Sequence, residues 1–159
     1  MINTFLLTIG CAVVLLSGQA SAWLFENSHS QCHGGKPYYF GTTDLLCKLG
    51  RRSVRAPSRF SLGLSHGWIL FDGEYFEWGV SGDSYHYGPT LTDADHCKTV
   101  RESQPAGYSQ LDRACIEKCA RSYKGRYGAY HLLTNNCHDF ANRISEVLCN
   151  HTQCPDWCQ

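Results

Sequence analysis

An odd number of half-cystines constrains this chain more than any other feature. The sequence holds ten cysteines in 159 residues. One, Cys11, lies in a leader-like segment, and without it nine remain: Cys32, Cys47, Cys97, Cys115, Cys119, Cys137, Cys149, Cys154 and Cys158. Such density is typical of exported domains that supplement a small core with covalent staples. Nine thiols cannot all pair within one chain, so four disulfides leave one sulfur over. That sulfur either joins another chain or stays reduced for chemistry. Parity does not say which one it is, but local context does.

Residues 1–22 carry no charged side chain, run apolar from Phe5 to Leu16, and end in Ala20-Ser21-Ala22, the small-x-small form that signal peptidase accepts. The run is too short to span a bilayer comfortably, which takes about 20 residues. A cleaved secretory signal over 1–22 is therefore expected, although its n-region lacks the usual positive charge. A lipobox at "LTIGC" that would acylate Cys11 is disfavoured by Thr8 and by the apolar run continuing past Cys11. The remainder, 23–159, is long enough for one domain with a modest core. No later segment is apolar enough for a membrane helix, so an exported, monomeric protein without a transmembrane segment is expected.

Fourteen basic residues balance fourteen acidic ones, which gives no bulk electrostatic reason to bind nucleic acid or anionic membranes. The local exception is "KLGRRSVRAPSR", with Lys48, Arg51, Arg52, Arg55 and Arg59. A solvated loop is the preferred explanation. Dibasic processing at Arg51-Arg52 and docking of an acidic partner are the alternatives.

The patterning points to an α+β domain with an antiparallel sheet, packed helices and no repeats. "TTDLLCKL" suggests a short helix. "SHGWILFDGEYFEWGV" is the clearest β signal, two aromatic and aliphatic runs around Asp72-Gly73, the preferred composition of a type I′ hairpin turn. Residues 81–108 look like a long loop with one strand near "SYHYG". A helix should begin near Ser109, with Ser109 and Asp112 resembling a capping box. "RYGAYHLL" suggests a strand. In "HDFANRISEVLC", Phe140, Ile144, Val147 and Leu148 recur at helical spacing.

This places Cys137 at the start of the last helix, where unpaired N–H groups and the positive end of the helix dipole favour a thiolate. Cys115 and Cys119, one helical turn apart, and Cys149, Cys154 and Cys158, in a polar tail, have the character of staples, as do Cys32, Cys47 and Cys97. A thiol nucleophile needs a base and a group to orient it. A two-residue turn at Asp72-Gly73 would pair Phe71 with Glu74, Leu70 with Tyr75, Trp68 with Glu77 and His66 with Gly79. His66 and Glu77 then share a face as diagonal neighbours, within reach of a carboxylate–imidazole contact. His131 is the better rival base. His138 ranks lower, because adjacent helical side chains diverge by about 100°.

Together, "SHGWILFDGEYFEWG" and "YHLLTNNCHDFANRI" resemble the His-first, Cys-second arrangement of circularly permuted papain-like enzymes. These are the PPPDE deSUMOylase-like peptidases and the lecithin–retinol acyltransferase-like proteins, with bacterial cell-wall endopeptidases more distantly similar. The resemblance implies a compact papain-like fold with Cys137 as nucleophile and His66 as base. Asn136 and Phe140 match as motif neighbours, and Glu77 falls at the polar third position. It implies a thiol hydrolase acting on peptide, isopeptide or cell-wall amides first and acyl esters second. The alternative is a non-catalytic, disulfide-rich binding or toxin-like module. No cofactor and no metal are expected, because Cys115-x3-Cys119 and Cys154-x3-Cys158, with Asp93, Asp95 and His96, match no standard zinc spacing. Asn150-His151-Thr152 is an N-glycosylation sequon.

Overall fold

The aromatic hairpin read from the sequence is the centre of the sheet. In a computed structural model of the chain, the residues described are 32, 34–48, 50, 65–79, 83–92 and 95–159. The expected signal at 1–22 and the arginines of the basic stretch lie outside them. Strand β1 runs Lys36–Asp44, β2 Ser65–Phe71, β3 Glu74–Trp78, β4 Tyr85–Gly88, β5 Thr99–Arg101 and β6 Gly107–Ser109. They form one antiparallel sheet in the order β4-β3-β2-β1-β5, with β6 also pairing with β1. Asp72 and Gly73 both have positive φ, 49° and 82°, as a type I′ turn demands. The register is Phe71 with Glu74, Leu70 with Tyr75 and Trp68 with Glu77. β3 ends at Trp78, so the expected His66–Gly79 pair lies beyond the β2–β3 ladder.

Three helices lie among the described residues: α1 Leu45–Lys48, α2 Arg113–Tyr127 and α3 Cys137–Asn150, followed by a 3₁₀ turn at Asp156–Cys158. Period-two alternation turns Ile69, Phe71, Phe76 and Trp78 toward a core closed by Ile116, Tyr123, Phe140, Ile144 and Leu148. Trp78 meets Tyr123 at 4.8 Å and Phe140 at 6.4 Å between ring centroids. Trp68 and Tyr75 contact edge to face on the opposite side of the hairpin, the side that carries His66 and Glu77.

Four local expectations are corrected. The helix at "TTDLLCKL" is a single turn, because Thr42, Thr43 and Asp44 are drawn into β1 between β2 and β5. Asp44 instead caps the turn, its Oδ1 accepting from the N–H groups of Leu46 and Cys47. The long loop at 81–108 contains β4, β5 and the start of β6, where short polar segments are held by pairing with β3 and β1. The second helix starts at Arg113, with Asp112 alone as N-cap, accepting from the Cys115 N–H at 2.7 Å. Ser109 belongs to β6 and accepts from the Leu111 N–H. "RYGAYHLL" is not a strand. Arg126 and Tyr127 finish α2, Gly128 ends it at φ 89°, and a tight loop follows, closed by a bridge between His131 and Asn135.

Asn135 makes that loop rigid. Its side-chain N–H₂ donates to the carbonyls of Tyr127, Gly128 and Ala129, while its Oδ1 accepts from Tyr123 and Arg143. The end of α2 is thereby tied to the start of α3.

The eight remaining cysteines pair as Cys32–Cys149, Cys47–Cys97, Cys115–Cys154 and Cys119–Cys158, leaving Cys137 as the free cysteine. Two parallel bridges, each spanning 39 residues, clamp the C-terminal turn onto one face of α2. Proteolysis of the unreduced protein, followed by mass mapping, should yield these four linkages and an unlinked Cys137 peptide. A cross-linked Cys137 peptide would contradict the fold at its most informative point.

Candidate active site

Cys137 is the first residue of α3, and the local sequence fixes it there. Asn136 is the N-cap: its side chain accepts from the N–H groups of His138 and Asp139, and Asp139 reaches back to the Asn136 N–H at 2.9 Å. This reciprocal capping box holds the thiol at the positive end of a 14-residue helix. The start of α3 is pinned to the start of β2, where His138 Nε2–H donates to the Ser65 carbonyl at 2.8 Å. His138 is thus occupied structurally.

His66, second in β2, is the side chain that most lowers the Cys137 thiol, through polar contact and charge. Its Nε2 lies 3.0 Å from Glu77 Oε2, so Nδ1 is the nitrogen left for the sulfur. Glu77 pairs in register with Trp68, two residues from His66, the diagonal relation expected of the hairpin. The structure therefore brings Cys137, His66 and Glu77 together in one chain of contacts, all of them nearly fully buried. His131, the rival base, is turned into its own loop, where its Nδ1 contacts Thr134 Oγ1 and accepts from the Leu133 N–H.

Electrostatics follow from the geometry. Burial pushes the Cys137 thiol up, but the hydrogen bond to His66, its charge, and N–H donation from Gly67 and His138 outweigh this and leave it lowered. Burial pulls His66 down, and the hydrogen bonds to Cys137 and Glu77 more than reverse it, so its pKa is raised. Glu77 is pushed up by burial and brought net below the usual carboxylate range by His66, the Thr92 N–H and Lys48. Both shifts run in the direction that favours a thiolate–imidazolium pair.

Three neighbours were not visible in the sequence. Burial first, then the charge of Cys137, raises the Tyr130 phenol to about 12, so it stays protonated near the sulfur. Its ring packs on Trp78 at 5.2 Å and lies against Gly79, where any side chain would collide with it. The signal was hidden because Tyr130 sits in a segment that looked like a strand. Thr92 donates to Glu77 from both its N–H and its hydroxyl. Lys48, expected in a solvated loop, has a side chain only 6% exposed and lies 3.6 Å from Glu77 Oε2.

Among the described residues one cluster has metal-ligand spacing. The sulfurs of Cys115, Cys119 and Cys154 lie within 4.8 Å of one another, but each is consumed by a disulfide. Asp95 and His96 form an exposed ion pair, and Asp93 lies outside the described residues. A shallow hollow of about 400 Å³ lined by Arg121, Ser122, Gly125, Arg126 and Trp157 shares no residue with the triad. Asn150 is exposed at the end of α3, sterically open for a glycan. No family model matches the sequence, and no solved structure matches the fold.

Two measurements follow. Tyr130→Phe removes a donor to the thiolate and should raise the pH at which Cys137 alkylates rapidly, by about one unit; iodoacetamide rates against pH would show it. Glu77's pKa is lower folded than unfolded, so its ionisation stabilises the fold above the usual carboxylate range. That contribution is lost as pH falls through the folded value. Glu77→Gln should therefore flatten the decline in urea midpoint between roughly pH 5 and 3.

Proposed function

We propose that the domain is a thiol hydrolase, with Cys137 as nucleophile, His66 as general base and acid, and Glu77 as the group that orients His66. The observation carrying this is that the one unpaired cysteine among the described residues is electrostatically coupled to a histidine whose Nε2 is held by a buried carboxylate. An inert structural thiol has no need of that pairing. The order of a histidine on a hairpin strand before a cysteine opening a helix also suits the permuted papain-like arrangement.

In the proposed cycle His66 takes the thiol proton, and the thiolate adds to a carbonyl carbon. The negative oxygen that forms is opposed by the first N–H groups of α3. Asn136 occupies those of His138 and Asp139, which leaves the Cys137 N–H for the substrate. Tyr130, whose phenol stays protonated, would be a second donor. Collapse breaks the carbonyl–nitrogen or carbonyl–oxygen bond, and the leaving group departs with the proton from His66. Water, deprotonated by His66, then hydrolyses the thioester and restores the thiol. Amide substrates (peptide, isopeptide or cell-wall) come first and acyl esters second.

Four disulfides and a cleavable leader would place this activity in an oxidising, exported compartment. No helix among the described residues is long and apolar enough to cross a membrane. One observation favours a non-catalytic binding module instead: Cys137 is only 4% exposed, so a substrate has to displace its cover to reach the sulfur.

A p-nitrophenyl ester decides between the two. A catalytic thiol should release a stoichiometric burst of nitrophenolate and leave a thioester on the Cys137 peptide, detectable by mass. His66→Ala should slow the burst about 10²–10⁴-fold. Cys137→Ser should abolish it while leaving all four disulfides intact. Wild-type acylation no faster than that of a free thiol would favour the binding module.

A further inference from the structure

The one lysine that the sequence assigns to a solvated basic stretch and the fold buries has no part in the scheme above. We propose that Lys48 is a positioning residue for the site, a charge-balancing fourth member that holds Glu77 as a carboxylate and so keeps Cys137 and His66 in their reactive form. This rests on the thiol-hydrolase assignment of Cys137, His66 and Glu77.

The geometry is that of a built site. Lys48 Nζ lies 3.6 Å from Glu77 Oε2, with side-chain exposures of 6% and 0%. The same ammonium donates to Thr92 Oγ1 at 2.8 Å and to the Thr92 carbonyl at 3.1 Å. Thr92 in turn donates to Glu77, from its N–H at 2.8 Å and from its hydroxyl at 3.0 and 3.1 Å. Lysine, threonine and glutamate thus close a ring of contacts, and His66 attaches to the same carboxylate oxygen that Lys48 approaches. Lys48 is placed by the single turn α1, which Asp44 caps and which the Cys47–Cys97 disulfide anchors from the adjacent residue.

The groups around Glu77 define the charge to be balanced. β2 supplies His66, and beyond it α3 supplies Cys137. β4 supplies His86, opposite Glu77 in register, its Nε2 taken by the Thr90 carbonyl. Thr92 brings no charge, α1 brings Lys48, and β1 brings the buried Asp44, which caps α1 and pairs in register with Ser65. Among the described residues, Lys48 is a cation beside Glu77 whether Cys137 and His66 are thiol and imidazole or thiolate and imidazolium. Removing it makes the set one unit more negative in both forms. That raises the proton affinity of the acids that remain, the Cys137 thiol among them.

A neutral residue at 48 should therefore raise the pH at which Cys137 becomes a thiolate. At an effective dielectric constant near 20 the shift is about one pH unit. Iodoacetamide alkylation of the full chain, disulfides intact, measures it directly. Lys48→Met keeps the apolar stem and removes the charge; its profile should move up, whereas Lys48→Arg should retain the wild-type profile. A wild-type profile in Lys48→Met, with His66→Ala clearly shifted, would overturn the proposal and leave the hydrolase assignment standing. No shift in His66→Ala would overturn both. If Lys48→Met does not form its four disulfides, the ammonium itself is the probe. Held by Glu77 and Thr92, its protons should give a resolved ¹⁵N-coupled signal in the wild type that moves in Glu77→Gln, and a signal averaged with those of exposed lysines would refute the proposal.

Discussion

A carboxylate with no exposed surface sits under the candidate nucleophile, and much of the surrounding structure is organised by it. Glu77 is fully buried, and an isolated buried carboxylate would cost several kcal/mol unless neutralised or saturated with donors. The fold supplies the donors from three separate segments: His66 from the hairpin partner, Thr92 from the chain beyond β4, and Lys48 from α1. Removing one partner would leave a charge stranded, so the three segments are bound to each other through one side chain. The constraint also sets direction. Because Glu77 occupies Nε2 of His66, it holds the ring in position and leaves the other nitrogen for a second partner.

The covalent staples serve the same arrangement. A domain of this size buries a modest core, and disulfides add stability mainly by restricting the unfolded chain, by about 3–5 kcal/mol each in the chain-entropy model. Their placement is not uniform. Cys47–Cys97 ties α1 to the segment between Thr92 and β5, bracketing the residues that hold Glu77. Cys32–Cys149 closes a span of 117 residues, fastening the chain before β1 to the end of α3. The two bridges fasten the C-terminal turn to the buried side of α2, while Asn135 ties its C-terminal end to the helix that carries the thiol. Each bridge fixes an element that touches, or is one step from, the Cys137–His66–Glu77 chain.

The parts that local chemistry dictates were legible in the sequence. Asp72-Gly73 between aromatic runs allows one turn type, and that turn sets the register that puts Glu77 diagonal to His66. Asn136 before Cys137 caps a helix whose apolar residues recur at helical spacing, and parity pointed to a single free thiol. What was not legible depends on tertiary partners. β5 and β6 are three residues each and exist because β1 offers them an edge. The segment around Tyr130 has strand-like composition, but Gly128 and the Asn135 side chain impose a loop. Lys48 looked solvated because its neighbours in sequence are basic. Its burial comes from Glu77, 29 positions away by number, which no local pattern reports.

A reactive thiol among eight half-cystines is a hazard during folding, since thiolates attack disulfides and scramble them. Here the activation is itself a product of the fold. In the unfolded chain Cys137 is an ordinary thiol, mostly protonated at neutral pH, with no advantage over its eight competitors. Its pKa falls only when α3 has its cap, β2 has delivered His66, and Glu77 has been buried with its partners. In the folded domain the other eight sulfurs are in bridges, and Cys137 is only 4% exposed. Burial and activation of the thiol are therefore consequences of the same contacts, so the cover that limits access to the sulfur also protects the disulfides.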